Sequence, residues 1–477
     1  MSDKRASSFV ETALRSRHTR RQLTQRAALG VSAAAIGPAA LGATSVAARQ
    51  DGGNVVVWWN KSYYPEEDAA LEAVIADWEA ESGSTVELSY FTTEDLPTKI
   101  LSAVEAGNPP DVVFAHLNDW QINPLLAWQG KLEDVSDVVE PMADAYTQAA
   151  LDSVNLLNNE TGERSYYAIP LEAQMMHIHY WKPLVEEAGL SVDDIPGEWD
   201  DFWAFWPQIQ DTLREQGNED IYAMGLPMSA EATDTYFLLQ QFFQAYGVEF
   251  MNADGELTFG DEGVLDGIAK VLGWTSDFYK NGYVPEGAIS WLDPDNNLNF
   301  INKTTVMTPN PSLSIPASQA EDEDVYMNQI GTQAMPNGPD GNPLTYMVSV
   351  KSAIIFTESK NKDGAKAFMA YLIQPEHLAD YLKASLGRWF PVMPEVTADP
   401  FWSETDDPHM AASYKQFQEE TRPFQTSLNP AYAEVLAQNV WGNALGQIIV
   451  GGASAEQAAE QAATQIEQIF ERWSSGG

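Results

Sequence analysis

Residues 54–115 read NVVVWWNKSYYPEEDAALEAVIADWEAESGSTVELSYFTTEDLPTKILSAVEAGNPPDVVFA. Asn54-Val55-Val56-Val57-Trp58-Trp59 is a short apolar run rich in β-branched and aromatic residues, which fits a buried strand. Leu71, Val74, Ile75 and Trp78 then recur at helical spacing with acids between them, and Gly83 stands where a C-cap would stop the helix. Thr85-Val86-Glu87-Leu88-Ser89-Tyr90 alternates as a strand. Leu96, Ile100, Leu101 and Val104 mark a second amphipathic helix, broken by Asn108-Pro109-Pro110, and Asp111-Val112-Val113-Phe114-Ala115 supplies a third strand. The order β-α-β-α-β predicts a parallel α/β lobe. Ligands of such sheets sit beyond the carboxyl ends of the strands. That singles out three loops: Asn60-Lys61-Ser62-Tyr63-Tyr64, Phe91-Thr92-Thr93-Glu94 and His116-Leu117-Asn118-Asp119-Trp120.

Beyond this lobe, residues 123–300 are richer in Trp, Phe and Gln, and helical patterns dominate, for example over 199–213 and 234–246. This predicts a second lobe. Strand character returns over 344–356, after the turn signals Asn337-Gly338 and Asp340-Gly341, followed by a helix over 363–373. The last helix is announced by Ser454 and Gln457 as a capping box, with Ala455, Ala459, Ala462, Ile466, Ile469 and Trp473 as its core stripe.

The chain has 477 residues, 44% hydrophobic and 11% aromatic with 15 Trp, enough for large cores and unlike a disordered sequence. Its 69 acidic against 26 basic residues give a formal charge of −43, which argues against nucleic acid or an anionic membrane as partner. Cysteine is absent, which removes disulfides, thiol nucleophiles, thiolate metal sites and the lipid-carrying cysteine of a bacterial lipoprotein. Residues 1–48 differ from the rest. Seven basic residues there face only Asp3 and Glu11, an Ala-rich apolar stretch ends in Ser45-Val46-Ala47-Ala48, and Thr19-Arg20-Arg21-Gln22-Leu23 resembles the twin-arginine export motif. Cleavage would leave 19 basic against 67 acidic residues, a net charge of −48. The expected location is therefore periplasmic or extracellular, with no stable membrane insertion after cleavage: Gly30, Gly37, Pro38 and Gly42 interrupt a stretch that barely reaches the ~20 apolar residues a bilayer needs.

The signatures of a phosphate-binding loop, a dinucleotide site, a serine-hydrolase elbow and a zinc protease are missing. Asp293-Pro294-Asp295-Asn296-Asn297 opens like a calcium loop, but Leu298 replaces the sixth-position Gly and Thr304 the twelfth-position Glu. His177 and His179 could share one strand face, as metal ligands or as packing residues. No cofactor and no metal is expected. Aromatics beside hydrogen-bonding residues recur in the three loops, and again in Trp291-Leu292-Asp293, Gly387-Arg388-Trp389 and Asn439-Val440-Trp441-Gly442-Asn443. Sugars present apolar C–H faces to aromatic rings and hydroxyls to polar side chains, so the pattern leans towards carbohydrate, although a single Trp is more often core.

Taken together, several segments resemble the extracellular solute-binding proteins of carbohydrate ABC importers, the maltose-binding-protein-like group. They are residues 70–115, Tyr167-Ala168-Ile169-Pro170 with Ile178-His179-Tyr180-Trp181-Lys182, Glu198-Trp199-Asp200-Asp201-Phe202, residues 295–307 and residues 359–376. The resemblance implies a two-lobe, type II periplasmic-binding-protein-like α/β fold with a hinge and an interlobe ligand cleft. Lobe 1 would be 49–119 and 303–360, and lobe 2 would be 120–302 and 361–477. Carried over by position, Asn60, Lys61, Asn118 and Asp119 would hold hydroxyls with Trp120 stacking, Glu172 and Gln174 would face the cleft from the other lobe, and Tyr64, Glu94, Trp291, Asp293, Asn310, Trp389 and Trp441 would complete the ligand site. The implied protein is a non-catalytic monomer that carries a sugar to importer permease subunits. Two departures stand out: Ser312 where the family often has an aromatic, and Trp181 where it commonly has Asn. A receptor for a polyol, polyamine or peptide, or a secreted glycoside hydrolase, is the alternative.

Overall fold

A computed structural model describes residues 53–475; the export segment expected over 1–48 lies outside them. The opening segment folds in the predicted order. Strand β1 (Asn54–Asn60) pairs in parallel with β2 (Thr85–Phe91) on one side and β3 (Val112–Phe114) on the other. The helix Pro65–Ser82 between the first two strands ends at Gly83, whose φ of 74° is the left-handed conformation that favours glycine. Its face of Leu71, Val74, Ile75 and Trp78 is buried, as the helical spacing predicts.

Five further strands lie between β3 and the next return of the chain: β4 (Asn155–Asn158), β5 (Glu163–Tyr166), β6 (Ile169–Met175), β7 (His177–Trp181) and β8 (Tyr222–Met224). They are followed by β9 (Thr305–Asn310), β10 (Ile330–Gln333), β11 (Tyr346–Ile355), β12 (Phe390–Pro391) and β13 (Thr421–Pro423). The first sheet runs β12-β6-β11-β3-β1-β2, with β13 also on β11; the second runs β10-β7-β9-β8; β4 and β5 form a separate ribbon. One residue, the buried Met176, separates β6 of the first sheet from β7 of the second.

The lobe boundaries differ from those expected. Ile122, Leu126, Leu132, Val154 and Leu156 pack with Val113 and Ile354, so the segment from 120 to 175 covers the first sheet instead of opening the second lobe. Of the segment 303–360, expected whole in lobe 1, β9 and β10 belong to the second sheet and only β11 to the first, and the carboxyl-terminal part is divided as well. Phe368, Met369, Leu378 and Leu382 join the core of the first sheet, whereas Tyr432, Trp441, Leu445, Ile466 and Ile469 join that of the second. The aromatic richness of 123–300 goes into this second core: Trp199, Trp203, Phe242 and Trp274 meet edge to face with centroids between 5.1 and 5.9 Å apart, apart from a tilted Trp199–Trp274 pair at 5.6 Å.

The final helix, Ala455–Ser475, begins with the predicted box: Gln457 N–H donates to Ser454 Oγ (3.2 Å) and Ser454 N–H to Gln457 Oε1 (3.1 Å). Asp293 opens a helix, Asp293–Ile301, in place of a calcium loop. Among the described residues no helix is long and apolar enough to cross a membrane.

Candidate functional site

The loops that leave β1 and β3 and the strands β6 and β11 bring a polar cluster onto one face of the first sheet. Ser349 and Lys351 are two apart on β11 and face Gln174 and Glu172 of β6 directly across the ladder. The intervening Val348, Val350, Leu171 and Ala173 point into the core on the other face, as strand alternation requires. Lys351 Nζ lies 3.2 Å from Asp119 Oδ1 and donates to Ser349 Oγ at 2.7 Å; Ser349 Oγ in turn donates to Asp119 Oδ2 at 2.6 Å. Trp120 Nε1 donates to the same hydroxyl at 3.0 Å. The ion pair is buried, with side-chain exposures of 2% for Lys351 and 8% for Asp119. Burial pushes the Asp119 carboxyl up and the Lys351 amine down, and each partner restrains the other.

Beside this pair sits Glu172, fully buried, its carboxyl oxygens without a hydrogen-bond partner and 3.3 Å from His116 Nε2. Burial holds Glu172 well above the usual carboxylate range and His116 well below that of histidine, the latter also through Arg388 and Lys351. The His116 ring lies 4.5 Å from that of Trp389. Arg388 completes the cluster, its guanidinium 5.0 Å from the Trp389 ring centroid and 4.6 Å from that of Tyr63. Tyr63 meets Tyr64 edge to face at 5.0 Å. Tyr64 N–H donates to Glu67 Oε1 at 3.1 Å, and burial raises Glu67 to about 7 and Tyr64 to about 12. From the second lobe, Tyr326 hydrogen-bonds Asp407, whose charge is felt at Tyr64. Leu313, which follows β9 of the second sheet, lies against Gly387, so the Arg388 end of the cluster faces the second lobe.

Of the residues chosen from sequence, Asp119, Glu172, Gln174 and Trp389 fall in this cluster, and Tyr64 lies at its edge. Trp120, expected to stack on a sugar, is instead 3% exposed and packs edge-on to Phe237 at 4.5 Å. Asn60 is a brace: its amide donates to Thr93 Oγ1 (2.8 Å) and its carbonyl accepts from His116 N–H (3.0 Å). Lys61 is paired with Asp68, Glu94 is exposed, and Asn118 is fully buried with its carboxamide unpartnered. Trp291 is core. Asp293 accepts from Thr233 Oγ1 (2.8 Å) and Asp234 N–H (3.0 Å), and Asn310 donates to Ser312 O (2.8 Å) and Ser314 Oγ (3.1 Å). Trp441 is fully buried, its Nε1 donating to Tyr432 OH at 2.8 Å.

Residues that the sequence does not pick out individually are Tyr63, Glu67, His116, Lys351 and Arg388. Tyr63, His116 and Arg388 sit in segments that the sequence does single out, beside or near the residues chosen. Lys351 leaves a fainter signal, a charged residue alternating with Ser349 inside an apolar strand. The histidine pair is structural. His177 Nδ1 lies 2.6 Å from Gln416 Oε1 and His179 Nδ1 2.9 Å from Thr332 Oγ1. Among the described residues no group of three His, Asp or Glu side chains is placed to hold a metal ion. Trp181, at a position of departure, donates to Phe300 O at 2.7 Å and stacks on that ring.

A family profile described as bacterial extracellular solute-binding protein matches residues 73–412. The chain belongs to this family. Among curated relatives of this solute-binding protein, the arabinooligosaccharide-binding protein of Halalkalibacterium halodurans is 22% identical over 66% of each chain. The multiple sugar-binding protein of Streptococcus mutans is 22% identical over 66% of this chain and 70% of its own. Solved structures share the fold. The cyclic alpha-maltosyl-1,6-maltose binding protein of Arthrobacter globiformis superposes with a TM-score of 0.70 at 20% identity, covering 88% of this chain and 99% of the other. An ABC transporter solute-binding protein of Thermotoga lettingae bound to alpha-D-tagatose gives 0.68 at 21% identity over 87% and 99%. The solute-binding protein thus has the two-lobe, type II architecture expected for it.

Proposed function

We propose that this chain is the extracytoplasmic carbohydrate receptor of an ABC importer, holding a sugar or oligosaccharide between its lobes and presenting the closed form to permease subunits. The observation that carries the reading is the interlobe cluster itself. Polar groups for hydroxyls (Gln174, Arg388, Glu67) lie near the rings of Tyr63 and Tyr64, supported by the buried Trp389 and the buried Asp119–Lys351 pair. The functions of the relatives, binding of arabinooligosaccharides and of multiple sugars, point the same way. Ligand contacts made by both lobes would favour closure, because only contacts stronger in the closed state shift the equilibrium. The receptor acts by binding and not by turnover, as a monomer, after export by the amino-terminal segment.

A thermal-shift screen of mono- and oligosaccharides tests this. Ligand at 100 times its dissociation constant should add about 2.7 kcal/mol of stability. A protein that ignores every saccharide but responds to a polyamine or peptide is a receptor of another class. Release of reducing ends from a glycan by the purified protein would replace binding with hydrolysis.

A further inference from the structure

The described residues contain five arginines, and four of them are engaged. Arg164 donates to backbone carbonyls, Arg214 to Ile221 O, Arg422 pairs with Glu249 and Arg472 with Glu434. Arg388 is different. Among the described residues it forms no ion pair, its Nε is buried without a hydrogen-bond partner, and its contacts are the faces of Tyr63 and Trp389. In a chain of charge −43 an unclaimed guanidinium is unexpected, since acids are plentiful. Two stand near enough to be felt, Glu67 and Glu172, yet neither bonds it: Glu67 receives Tyr64 N–H and Glu172 turns to His116.

The backbone works to place this side chain. Leu386, 53% exposed, has a φ of 51°, and Gly387 follows with 80°, so two successive left-handed residues precede Arg388. A Cβ at Gly387 would approach Met410 Cγ to 3.2 Å and Leu313 Cδ1 to 3.5 Å, leaving little room for another residue. The left-handed conformation is strained for a leucine, whose Cβ comes too close to the following carbonyl oxygen. Such strain, next to a desolvated donor, is found where a side chain must be held out for a ligand.

We propose that Arg388 receives a carboxylate of the ligand, so that the preferred substrate class is an acidic sugar, a uronic acid or an oligosaccharide carrying one. A planar guanidinium presents paired N–H groups that match the two oxygens of a carboxylate, an arrangement that a neutral hydroxyl cannot use fully. The sugar ring that carries the acid would then lie against Tyr63, which is 41% exposed. The proposal rests on the carbohydrate-receptor reading and narrows it.

Titration calorimetry on the purified full chain, comparing galacturonate and glucuronate oligomers with galactose and glucose oligomers of equal length, separates the two claims. The expected result is a uronate bound at least about tenfold more tightly than its neutral counterpart, by an advantage that shrinks as NaCl is raised. The advantage should vanish in Arg388→Gln and return in part in Arg388→Lys, with circular dichroism confirming the fold of each variant. Equal or tighter binding of the neutral sugar overturns the acidic-sugar proposal and leaves the carbohydrate reading standing. Binding of neither kind overturns both.

Discussion

At the scale of single residues, the first sheet carries a charge pair where a hydrophobic pair would be easier to bury. Removing one partner of such a pair leaves an uncompensated charge and typically costs about 3–5 kcal/mol, whereas replacing both with apolar residues can be neutral. Lys351→Met should therefore lower the urea midpoint sharply, and Lys351→Met with Asp119→Leu should recover most of the loss. A single variant as stable as the parent would mean that the pair contributes nothing. Glu67 gives a second expectation. Its ionisation is raised from 4.5 to about 7 in the fold by burial, so between those values the folded chain binds more protons than the unfolded one. Stability must then fall as pH rises from about 4.5 to 7, by at most about 1.4 kcal/mol per pH unit from this group. Glu67→Gln should flatten that slope in urea titrations across the window; an unchanged slope would assign it to other buried acids such as Glu172. The sequence could point to the loops holding these groups but not to the groups themselves. Tyr63 and Tyr64 are adjacent and chemically alike, and which one meets Arg388 depends on a turn far along the chain. Trp120 shows the converse: its polar neighbours suggested a stacking platform, while in the fold a hydroxyl on β11 and the ring of Phe237 take both its edge and its face.

At the scale of elements, the helix and strand periods of residues 54–115 and the caps Gly83, Ser454 and Gln457 carried the local structure, because each of those signals is settled within a few turns of chain. The lobe limits were not legible. The segment 120–175 resembles the residues after it in composition, and only its packing against Val113 and Ile354 assigns it to the first sheet. Asp111 is the joint that ties these distant pieces together. One carboxylate oxygen accepts Val56 N–H at 2.8 Å; the other accepts Ser359 Oγ at 2.6 Å and the N–H groups of Lys360 and Asn361 at 3.1 and 3.0 Å. Asp111→Ala strands these donors, and since a bond to a charged group is worth about 1.5–3 kcal/mol, a loss of about 3 kcal/mol or more is expected by chemical denaturation. Asp111→Asn, which keeps an acceptor, should lose clearly less. Similar losses for the two would show that the acceptor geometry is unimportant.

For the whole molecule, 69 acidic residues against 26 basic ones make self-repulsion a general burden on the compact state. Screening should relieve it. The melting temperature of the unliganded chain is expected to rise as NaCl goes from about 10 mM to about 0.5 M, where the screening length drops to a few ångströms. A flat or falling trend would mean that the acids are spaced widely enough not to matter, or that ion pairs such as Arg422–Glu249 dominate instead. The same field bears on the ligand: an acidic sugar approaches against the net charge and is rewarded only at Arg388, so its association rate should climb with salt even as its affinity declines.

The join between the two sheets is a single buried residue, Met176, between the end of β6 and the start of β7. A join of that length has no slack. It can swivel through its own two backbone torsions, but it cannot stretch, so at this crossing the two sheets keep a fixed separation, while the chain crosses between them again from β10 to β11. It also sets parity. One inserted residue would turn β7 over, sending His177 and His179 to the opposite side and the intervening Ile178 into their place, so the length of this connection is as constrained as any side chain in the cleft.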